Sequence, residues 1–166
     1  MSELKFTIRA ELPADAETVE RLHERAFGPG RFARTAYRLR EGGALRLDLS
    51  FTALVGTLVV ASVRQSPVAA GGVPALVLGP IAVEPAFERR GIAAALVRRS
   101  LDVARDKGFR LVFLIGDEPY YGRFGFKPVP AGTVALPGPA DPARFLYAEL
   151  EPGAFAGAKG KLLPAE

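Results

Sequence analysis

Cysteine and tryptophan are both absent from the 166 residues of this chain, and histidine occurs once, as His23. Without cysteine there can be no disulfide framework, no thiolate zinc site and no cysteine nucleophile. The lone histidine has no partner at metal-ligand spacing, so a metal site is not expected either. The absence of cysteine is also compatible with a reducing compartment.

Long apolar runs and secretion signals are missing as well. The N-terminus lacks the basic and then apolar pattern of a signal peptide, and no apolar run approaches the length of a membrane span. We therefore expect a cytoplasmic protein with no membrane partner. The composition, with 49% hydrophobic and 24% charged residues, predicts one globular domain over residues 1–166.

The chain is basic, with a formal net charge of +4 at pH 7 and an isoelectric point near 9.7. Such a balance suits an anionic partner. The arginines are nevertheless spread along residues 31–46 and 89–110, without a dense basic run or interleaved aromatic residues. We therefore expect no nucleic-acid partner.

The stretch from residue 75 to residue 107 carries the strongest local pattern. Apolar residues from Ala75 to Val83 predict a buried strand that must bulge or bend at Gly79-Pro80. A helix follows that ends at Gly108, and the run from Leu111 to Ile115 predicts a second buried strand. These elements form a right-handed crossover unit. The apolar stripe of the helix consists of residues spaced three and four apart: Ala93, Leu96, Val97, Ser100, Leu101 and Ala104.

The remaining elements follow from apolar alternation and from turn residues. Asp15 is the expected N-cap of a first helix that ends at Gly28-Pro29. The tail from Glu151 carries small residues and lysines, and we expect it to lie over the surface. Strands are expected over residues 4–10, 47–54, 57–64 and 144–150, and an arginine-rich helix over residues 32–40.

The turn before the central helix has the composition of an anion site. The first turn of a helix leaves backbone N–H groups unpaired, and the helix dipole adds positive potential. Gly91 lets a ligand approach the backbone closely, while Ala93 and Ala94 are small. Arg89 and Arg90 add positive charge. The pattern indicates a pyrophosphate site, and tight packing of the turn is the alternative explanation.

This turn, Glu88-Arg89-Arg90-Gly91-Ile92-Ala93, resembles the acyl-CoA-binding motif of GNAT-type N-acetyltransferases, which reads Gln/Arg-x-x-Gly-x-Gly/Ala. Glu88 departs from the family pattern at the first position, where its carboxylate would repel phosphate. A second motif, from Gly116 to Phe126, resembles the same family, which has a tyrosine four residues before a Gly-Phe pair. The part of this motif from Tyr120 to Phe126 carries the resemblance. It is especially similar to a branch of small bacterial acetyltransferases. The resemblance covers nearly the whole chain.

The resemblance implies an α/β (α+β) fold with a single GNAT domain over residues 1–166. We expect a mixed central sheet of about six or seven strands, in which the parallel central strands splay apart. About four helices are expected to flank that sheet.

The resemblance also implies acetyl-CoA as the cosubstrate and no metal. In the family, the pantetheine arm lies between the splayed strands and pairs with the backbone of the first strand. Coenzyme A is anionic, which accounts for part of the basic surface. The expected cofactor contacts in this chain are Ile81, Ala82, Val83, Arg89, Arg90, Gly91, Ile92, Ala93, Ala94, Tyr121 and Phe124.

The implied reaction is transfer of an acetyl group to a primary amine by direct attack, without a covalent enzyme intermediate. A bulge at Gly79-Pro80 would aim a backbone N–H at the thioester carbonyl, where negative charge develops. Tyr121 is the expected general acid for the leaving thiolate, since a phenol is protonated near neutrality. The alternative for Tyr121 is a packing role in a short helix. Arg123 either reaches the phosphates or braces that helix.

The general base is harder to assign. Glu84 is next to the pantetheine strand and is the catalytic carboxylate that we expect, with Glu118, Asp117 and His23 as further candidates. His23 follows the apolar stripe of the first helix. It is either a buried histidine hydrogen-bonded within the fold or a proton acceptor at the mouth of the acceptor site.

In the family, the first two helices wall the acceptor side, so the second helix of this chain is expected there too. The alternative is a surface helix whose arginines extend into solvent. The expected acceptor contacts are Phe32, Arg34, Tyr37 and Arg38. A small metabolite, an antibiotic, a peptide N-terminus and a protein lysine all stay open as acceptors, and so does a homodimer.

Two other functions are compatible with the sequence. A non-catalytic acyl-CoA-binding or sensing module would explain the departure at Glu88 and the lack of an obvious base. A nucleotide-binding α/β domain is disfavoured, because the chain has neither a phosphate loop ending in Gly-Lys-Ser/Thr nor a full dinucleotide fingerprint.

Overall fold

The computed structural model describes residues 4–28, 39, 46–138 and 140–165. Three α-helices lie in these ranges: α1 (Ala16–Phe27), α2 (Ile92–Asp106) and the one-turn α3 (Glu118–Tyr121). The strands are β1 (Thr7–Ala10), β2 (Phe51–Val55), β3 (Leu58–Ala70), β4 (Val73–Val83), β5 (Leu111–Ile115), β6 (Lys127–Pro128), β7 (Val134–Ala135), β8 (Phe145–Glu149) and β9 (Gly160–Pro164).

All nine strands belong to one mixed sheet. Its main path runs β1-β2-β3-β4-β5-β8-β6, and β9 pairs with both β3 and β7. Neighbours are antiparallel except for the pairs β4–β5 and β7–β9. The predicted α/β class and the predicted strand–helix–strand unit, which is β4–α2–β5, are therefore confirmed. The main path contains the expected number of strands, and β7 and β9 are additional.

The parallel strands β4 and β5 separate towards their carboxyl ends. They pair only at Leu76 with Val112 and at Val77 with Phe113. Beyond Val77, β4 continues to Val83, and within the described ranges no strand pairs with it on its β5 side. The predicted splay is confirmed, and it leaves one side of the β4 backbone open for a further extended segment.

A β-bulge interrupts the pairing of β3 with β4. Val63 pairs with Ile81 and Gln65 pairs with Leu78, so Arg64 alone faces both Gly79 and Pro80. This is the two-against-one count of a bulge, at the pair where the sequence predicted one. The Gly79–Pro80 peptide bond is cis, and Gly79 has a φ of 134°.

The two faces of the sheet are covered differently. Helix α2 packs its buried stripe against an apolar core on one face, which we call the α2 face. That core includes Val63, Leu76, Leu78, Leu96 and Val97. Because neighbouring residues of a strand point to opposite faces, Ser62 and Arg64 point away from α2. The opposite face, here called the α1 face, is covered near its middle by α1, which packs against β3 and β4.

The C-terminal segment behaves differently from the expectation. The sequence predicted a tail over the surface, whereas residues 160–164 form β9 and pair with residues 68–70 of β3. Ala154, Ala158 and Leu162 are buried in a second apolar core beside Val77 and Phe113. Two of these residues are alanines, which bury little area each and leave no clear periodic signal.

Several predicted boundaries also differ. Residues 47–49 form a 3-10 turn ahead of β2, and β3 continues past Arg64 to Ala70. Helix α1 ends before Gly28, as predicted. Of the helix predicted over residues 32–40, only Leu39 lies among the described residues. None of the helices in the described ranges is both long and apolar enough to cross a membrane.

Candidate functional site

Three features of the sequence meet at one edge of the sheet. The turn with Arg89 and Arg90 follows the carboxyl end of β4, and α3 follows the carboxyl end of β5. Between them lies the opening where β4 and β5 have separated. In open α/β sheets, ligands bind at the carboxyl ends of parallel strands, so this edge is the candidate site.

The turn before α2 has an unusual backbone. Arg89 has a φ of 60°, the left-handed region that residues with a side chain seldom adopt. Gly91 has a φ of 82° and is the N-cap of α2. A Cβ on Gly91 would have nothing within 4 Å, so the space above the turn is open. This backbone presents the start of α2 to an open surface.

The first turn of α2 supplies the donors. The amides of Ile92, Ala93 and Ala94 precede the first intrahelical bond, which Ala95 N–H donates to Gly91 O at 3.1 Å. Arg89 and Arg90 are both exposed beside them. Three amides at a helix N-terminus, together with two guanidinium groups, fit a diphosphate group. The side chain of Ile92 is buried in the α2-face core, so only its backbone can take part.

The stretch from Ile81 to Val83 borders the opening on the β4 side. Ile81 and Val83 pack their side chains towards the α2-face core, and Ala82 is buried on the α1 face. Their backbones pair with β3 on one side only. The opposite side therefore has N–H and C=O groups that can pair with an extended ligand.

Tyr121 closes the same edge from the β5 side. Its ring lies over Gly116, the residue directly after β5: a Cβ on Gly116 would be 2.5 Å from Tyr121 Cε2. Tyr120, Phe124 and Phe126 surround the ring at centroid distances of 4.9, 6.4 and 6.2 Å. Tyr121 thus has the packing role that the sequence offered as one alternative, and its role as general acid stays a prediction.

Burial changes the acidity of this tyrosine. It raises the pKa of Tyr121 to about 12, and the nearby Tyr120 and Asp117 act in the same direction. Arg144 opposes them weakly. The phenol is therefore protonated throughout the physiological range, and it is a weaker acid than an exposed tyrosine.

The sequence matches the model of a family described as an acetyltransferase (GNAT) domain, over residues 8–129. The chain belongs to the GNAT acetyltransferase family. It is 36% identical over 122 residues to the uncharacterized N-acetyltransferase YhbS of Escherichia coli, covering 72% of each chain. The resemblance recognised in the sequence is confirmed, and the protein is an N-acetyltransferase of this family.

Two solved structures of GNAT proteins are similar along most of the chain. YhbS of Escherichia coli, crystallised in complex with CoA, superposes with a TM-score of 0.84 and 29% identity, over 100% of this chain and 93% of YhbS. A GNAT acetyltransferase of Brucella melitensis, crystallised in complex with acetyl-CoA, gives a TM-score of 0.62 and 32% identity, over 92% and 99% of the two chains.

The carboxylate expected as base in this GNAT chain is engaged in an ion pair. Glu84 follows β4 directly, and its Oε1 accepts a hydrogen bond from Arg25 Nη2 of α1. Its backbone N–H donates to Val60 O at 2.8 Å. The pair ties α1 to the edge where β4 ends, and the role of Glu84 as base stays a prediction.

The other candidate bases lie in different environments. His23 is 1% exposed, with its Nδ1 3.9 Å from Glu20 Oε2, and it packs near Phe27. Asp117 accepts a hydrogen bond from Arg144 Nε at 3.2 Å. Glu118 is exposed. Among the described residues, no group of three or more His, Asp or Glu side chains could hold a metal ion.

Arg123 and Arg98 each contact an aromatic ring near α3. Arg123 Nε donates to Tyr120 O at 3.0 Å, and its guanidinium lies 4.5 Å from the centroid of the Tyr120 ring. Arg123 therefore braces the short helix. Arg98 of α2 lies 5.2 Å from the centroid of Phe124, which joins α2 to the segment after α3.

The expected acceptor contacts Phe32, Arg34, Tyr37 and Arg38 fall outside the described residues. The structure instead reveals charged groups of the α1 face that the sequence did not single out. Arg64 and Glu11 form a pair in which Nε and Nη2 donate to the two carboxylate oxygens at 3.1 and 2.8 Å. The two residues are 53 positions apart, and no local pattern links them.

Gly116 was also missed as a functional position. It opens the second motif, but only the structure shows that the Tyr121 ring occupies the space of its missing side chain. A glycine between a buried strand and an aromatic-rich turn is the signal that could have drawn attention to it.

Proposed function

We propose that this GNAT protein transfers an acetyl group from acetyl-CoA to a primary amine, by direct attack and with Tyr121 as general acid. The observation that carries the proposal is the open side of β4 beyond Val77, which leads into the unpaired amides at the start of α2. The two solved relatives hold CoA and acetyl-CoA. Coenzyme A has an extended pantetheine arm and a diphosphate group. The arm would lie beside Ile81 to Val83, and the diphosphate would bind at Ile92 to Ala94.

Different residues of the site would bind different parts of acetyl-CoA. The amides of Ile92, Ala93 and Ala94, with Arg89 and Arg90, would bind the diphosphate. The backbone of β4 would hold the arm, and a donor at the bulge would face the thioester carbonyl. A hydrogen-bond donor aimed at the charge that develops in the transition state lowers the activation free energy by roughly 2.7–4 kcal/mol.

The acetyl transfer needs two proton movements. A bond forms between the amine nitrogen and the carbonyl carbon while the carbon–sulfur bond breaks. The leaving sulfur takes a proton from Tyr121 Oη, and the nitrogen loses one to a base. Since the Tyr121 pKa is about 12, we expect its contribution at the lower end of the usual range, roughly 10²-fold in rate.

We keep Glu84 as the proposed base, and its pair with Arg25 limits that role. A base must be within hydrogen-bond reach of the proton that it removes. Glu84 satisfies this only if its second oxygen faces the acceptor amine. Replacement of Arg25 with glutamine would test the point, because it frees Glu84 without changing it.

Calorimetric titration with acetyl-CoA tests the donor site. We expect micromolar binding that weakens at least roughly tenfold in Arg90→Glu, since a charge-assisted contact to phosphate becomes a repulsion. Arg105→Glu is the matched control. It makes the same charge change near the other end of α2, where Arg105 pairs with Asp102, and it should bind like the wild type.

Thiol release in the presence of an amine panel tests the reaction. A cysteine-free protein adds no thiol background. Amine-dependent release that falls roughly 10²-fold in Tyr121→Phe supports the proposal. Binding of acetyl-CoA without turnover on any amine would instead favour the acyl-CoA-binding module, and absence of binding at millimolar acetyl-CoA would contradict both.

A further inference from the structure

We propose that Arg64 and Gln65 are positioning residues that fix the β4 bulge, and through it the backbone donor for the thioester carbonyl. The inference rests on the proposed function, because it assigns that donor to the bulge. It concerns two neighbouring residues of β3.

The register places both residues at the bulge. Arg64 alone faces Gly79 and Pro80, and Gln65 pairs with the next residue, Leu78. A bulge can migrate along a strand pair if nothing specifies its position. The two residues opposite it are the ones whose side chains can hold the register.

Arg64 is anchored on the α1 face. Its guanidinium binds both oxygens of Glu11. The Glu11 side chain is 1% exposed and the Arg64 side chain 15% exposed. Glu11 N–H in turn donates to Ser50 O at 2.8 Å. The side chain opposite the bulge is therefore tied, through Glu11, to the start of β2.

Gln65 is anchored on the α2 face. Its Nε2 donates to Leu49 O and to Ser100 O, both at 3.1 Å, and its backbone N–H donates to Ser50 Oγ at 3.3 Å. Ser100 is in the middle of α2. Arg64, through Glu11, and Gln65 thus both connect to Ser50. Gln65 also reaches α2, the helix whose N-terminus we propose to bind the diphosphate.

Neither the Arg64–Glu11 pair nor the Gln65 contacts are expected to stabilise the fold more than apolar side chains of the same size would. A buried ion pair is often no more stable than apolar residues of the same volume. Gln65 Oε1 is buried without a hydrogen-bond partner in the structure, which costs stability. Polar groups that are retained at such a cost, on both sides of one bulge, indicate that the geometry of the bulge is what they maintain.

The acetyl group makes the idea testable without knowing the acceptor. Acetyl-CoA has the thioester carbonyl and CoA lacks it, so the ratio of their dissociation constants reports on the bulge donor. One hydrogen bond predicts that the wild type binds acetyl-CoA roughly two- to tenfold more tightly than CoA. Arg64→Lys keeps the charge and loses the two-point contact, and we expect it to remove that preference while CoA binding stays within about twofold.

Arg9→Lys is the matched control. Arg9 makes a similar two-point contact with Asp15, at 2.6 and 3.1 Å, on the same face. Arg9 lies in β1 and pairs with Thr52 of β2, and β2 is separated from β4 by β3. A general loss of stability would affect both variants alike, whereas the proposal predicts that Arg9→Lys keeps the preference for acetyl-CoA.

Gln65→Met provides a second variant in case Arg64→Lys does not fold. It removes the anchor on the α2 face with little change in volume, and it too should lose the preference. All titrations would be made well below the melting temperature of each variant.

Three outcomes would each overturn the inference. The wild type could bind both ligands equally, the ratio of dissociation constants could stay unchanged in Arg64→Lys and Gln65→Met, or Arg9→Lys could lose the preference to the same extent. Failure of the wild type to bind either ligand would instead overturn the proposed function.

Discussion

The two faces of the sheet both have an apolar core, and they differ in their ion pairs. On the α2 face, apolar side chains of α2 and of the central strands form one core, and Tyr121 and Phe124 pack against it. The α1 face has the second core, around Val77 and Phe113, and it also has the ion pairs of Arg9 with Asp15 and of Glu11 with Arg64. The residues of α2 and α3 that we propose to bind acetyl-CoA therefore pack against the α2-face core.

This difference affects how each face responds to a substitution. An apolar core is tolerant of exchanges that keep its volume, and it holds a helix N-terminus without specific contacts. A buried ion pair fails abruptly when one partner is lost. We infer that the α2 face provides a steady platform for the shared donor. The α1 face is the side on which the loss of one charged partner has the larger effect.

The largest effect is expected from breaking the Glu11–Arg64 pair. Glu11→Ala leaves a largely buried guanidinium without its partner, which should lower the free energy of unfolding by about 3–5 kcal/mol. Denaturant titration measures the loss. The double variant Glu11→Leu with Arg64→Met removes both charges, and we expect it to recover most of the stability while the preference for acetyl-CoA stays low.

Leu96→Ala gives the corresponding change on the α2 face. Leu96 is fully buried, and its truncation should cost about 2–5 kcal/mol through lost contacts and a cavity. Unlike the loss of Glu11, this loss of stability cannot be recovered by removing a charged partner, because Leu96 has none. If the double variant at residues 11 and 64 is as unstable as Glu11→Ala alone, the contrast between the two faces is wrong.

The next effect concerns the rate. A methyl group on Gly116 would lie 2.5 Å from Cε2 and 3.0 Å from Cδ2 of Tyr121, so Gly116→Ala must displace the ring. A displacement of about 1 Å at a reacting group can lower the rate roughly 10²-fold. We expect Gly116→Ala to reduce amine-dependent thiol release by about this factor, with little change in calorimetric binding of CoA.

Non-additivity is the control for this rate effect. If Gly116→Ala acts by moving Tyr121, then adding it to Tyr121→Phe should lower the rate little further, because both changes remove one function. A multiplicative loss in the double variant would show that Gly116 acts on something other than the tyrosine. An unchanged rate in Gly116→Ala would argue against Tyr121 as the acid.

Elements with a local pattern were much easier to predict from the sequence than the long-range polar contacts on either face. Periodicity located α2, the strands β4 and β5 and the bulge at Gly79-Pro80, because each is a local pattern. The residues that hold the bulge are distant in sequence from their partners: Gln65 reaches Ser100 and Glu11 reaches Arg64. Long-range polar contacts leave no periodic trace. Strand β9 was missed because it has only five residues and follows a stretch rich in glycine and alanine.

The smallest expected effect is a difference in acid sensitivity between the two faces. A hydrogen bond from Arg9 holds the pKa of Asp15 below its usual range. Arg46, together with Lys107 at the end of α2, does the same for the pKa of Asp48 in the 3-10 turn ahead of β2. A carboxyl group whose pKa is lowered by folding stabilises the protein above its unfolded pKa of about 3.9. That contribution is lost as the pH falls through the folded pKa, so both residues should make the protein less stable in acid.

Asp15 should contribute more of this acid sensitivity than Asp48, although the Asp48 pKa is lowered well below the usual range. The Asp15 side chain is 9% exposed, whereas that of Asp48 is 43% exposed and screened by water and salt. We expect Asp15→Asn to reduce the change in unfolding free energy between pH 6 and pH 3 more than Asp48→Asn does. Added salt of about 0.5 M should abolish the effect of Asp48→Asn and leave most of that of Asp15→Asn. A larger or more salt-resistant effect at Asp48 would mean that the charges of the α1 face are as exposed to solvent as those around α2.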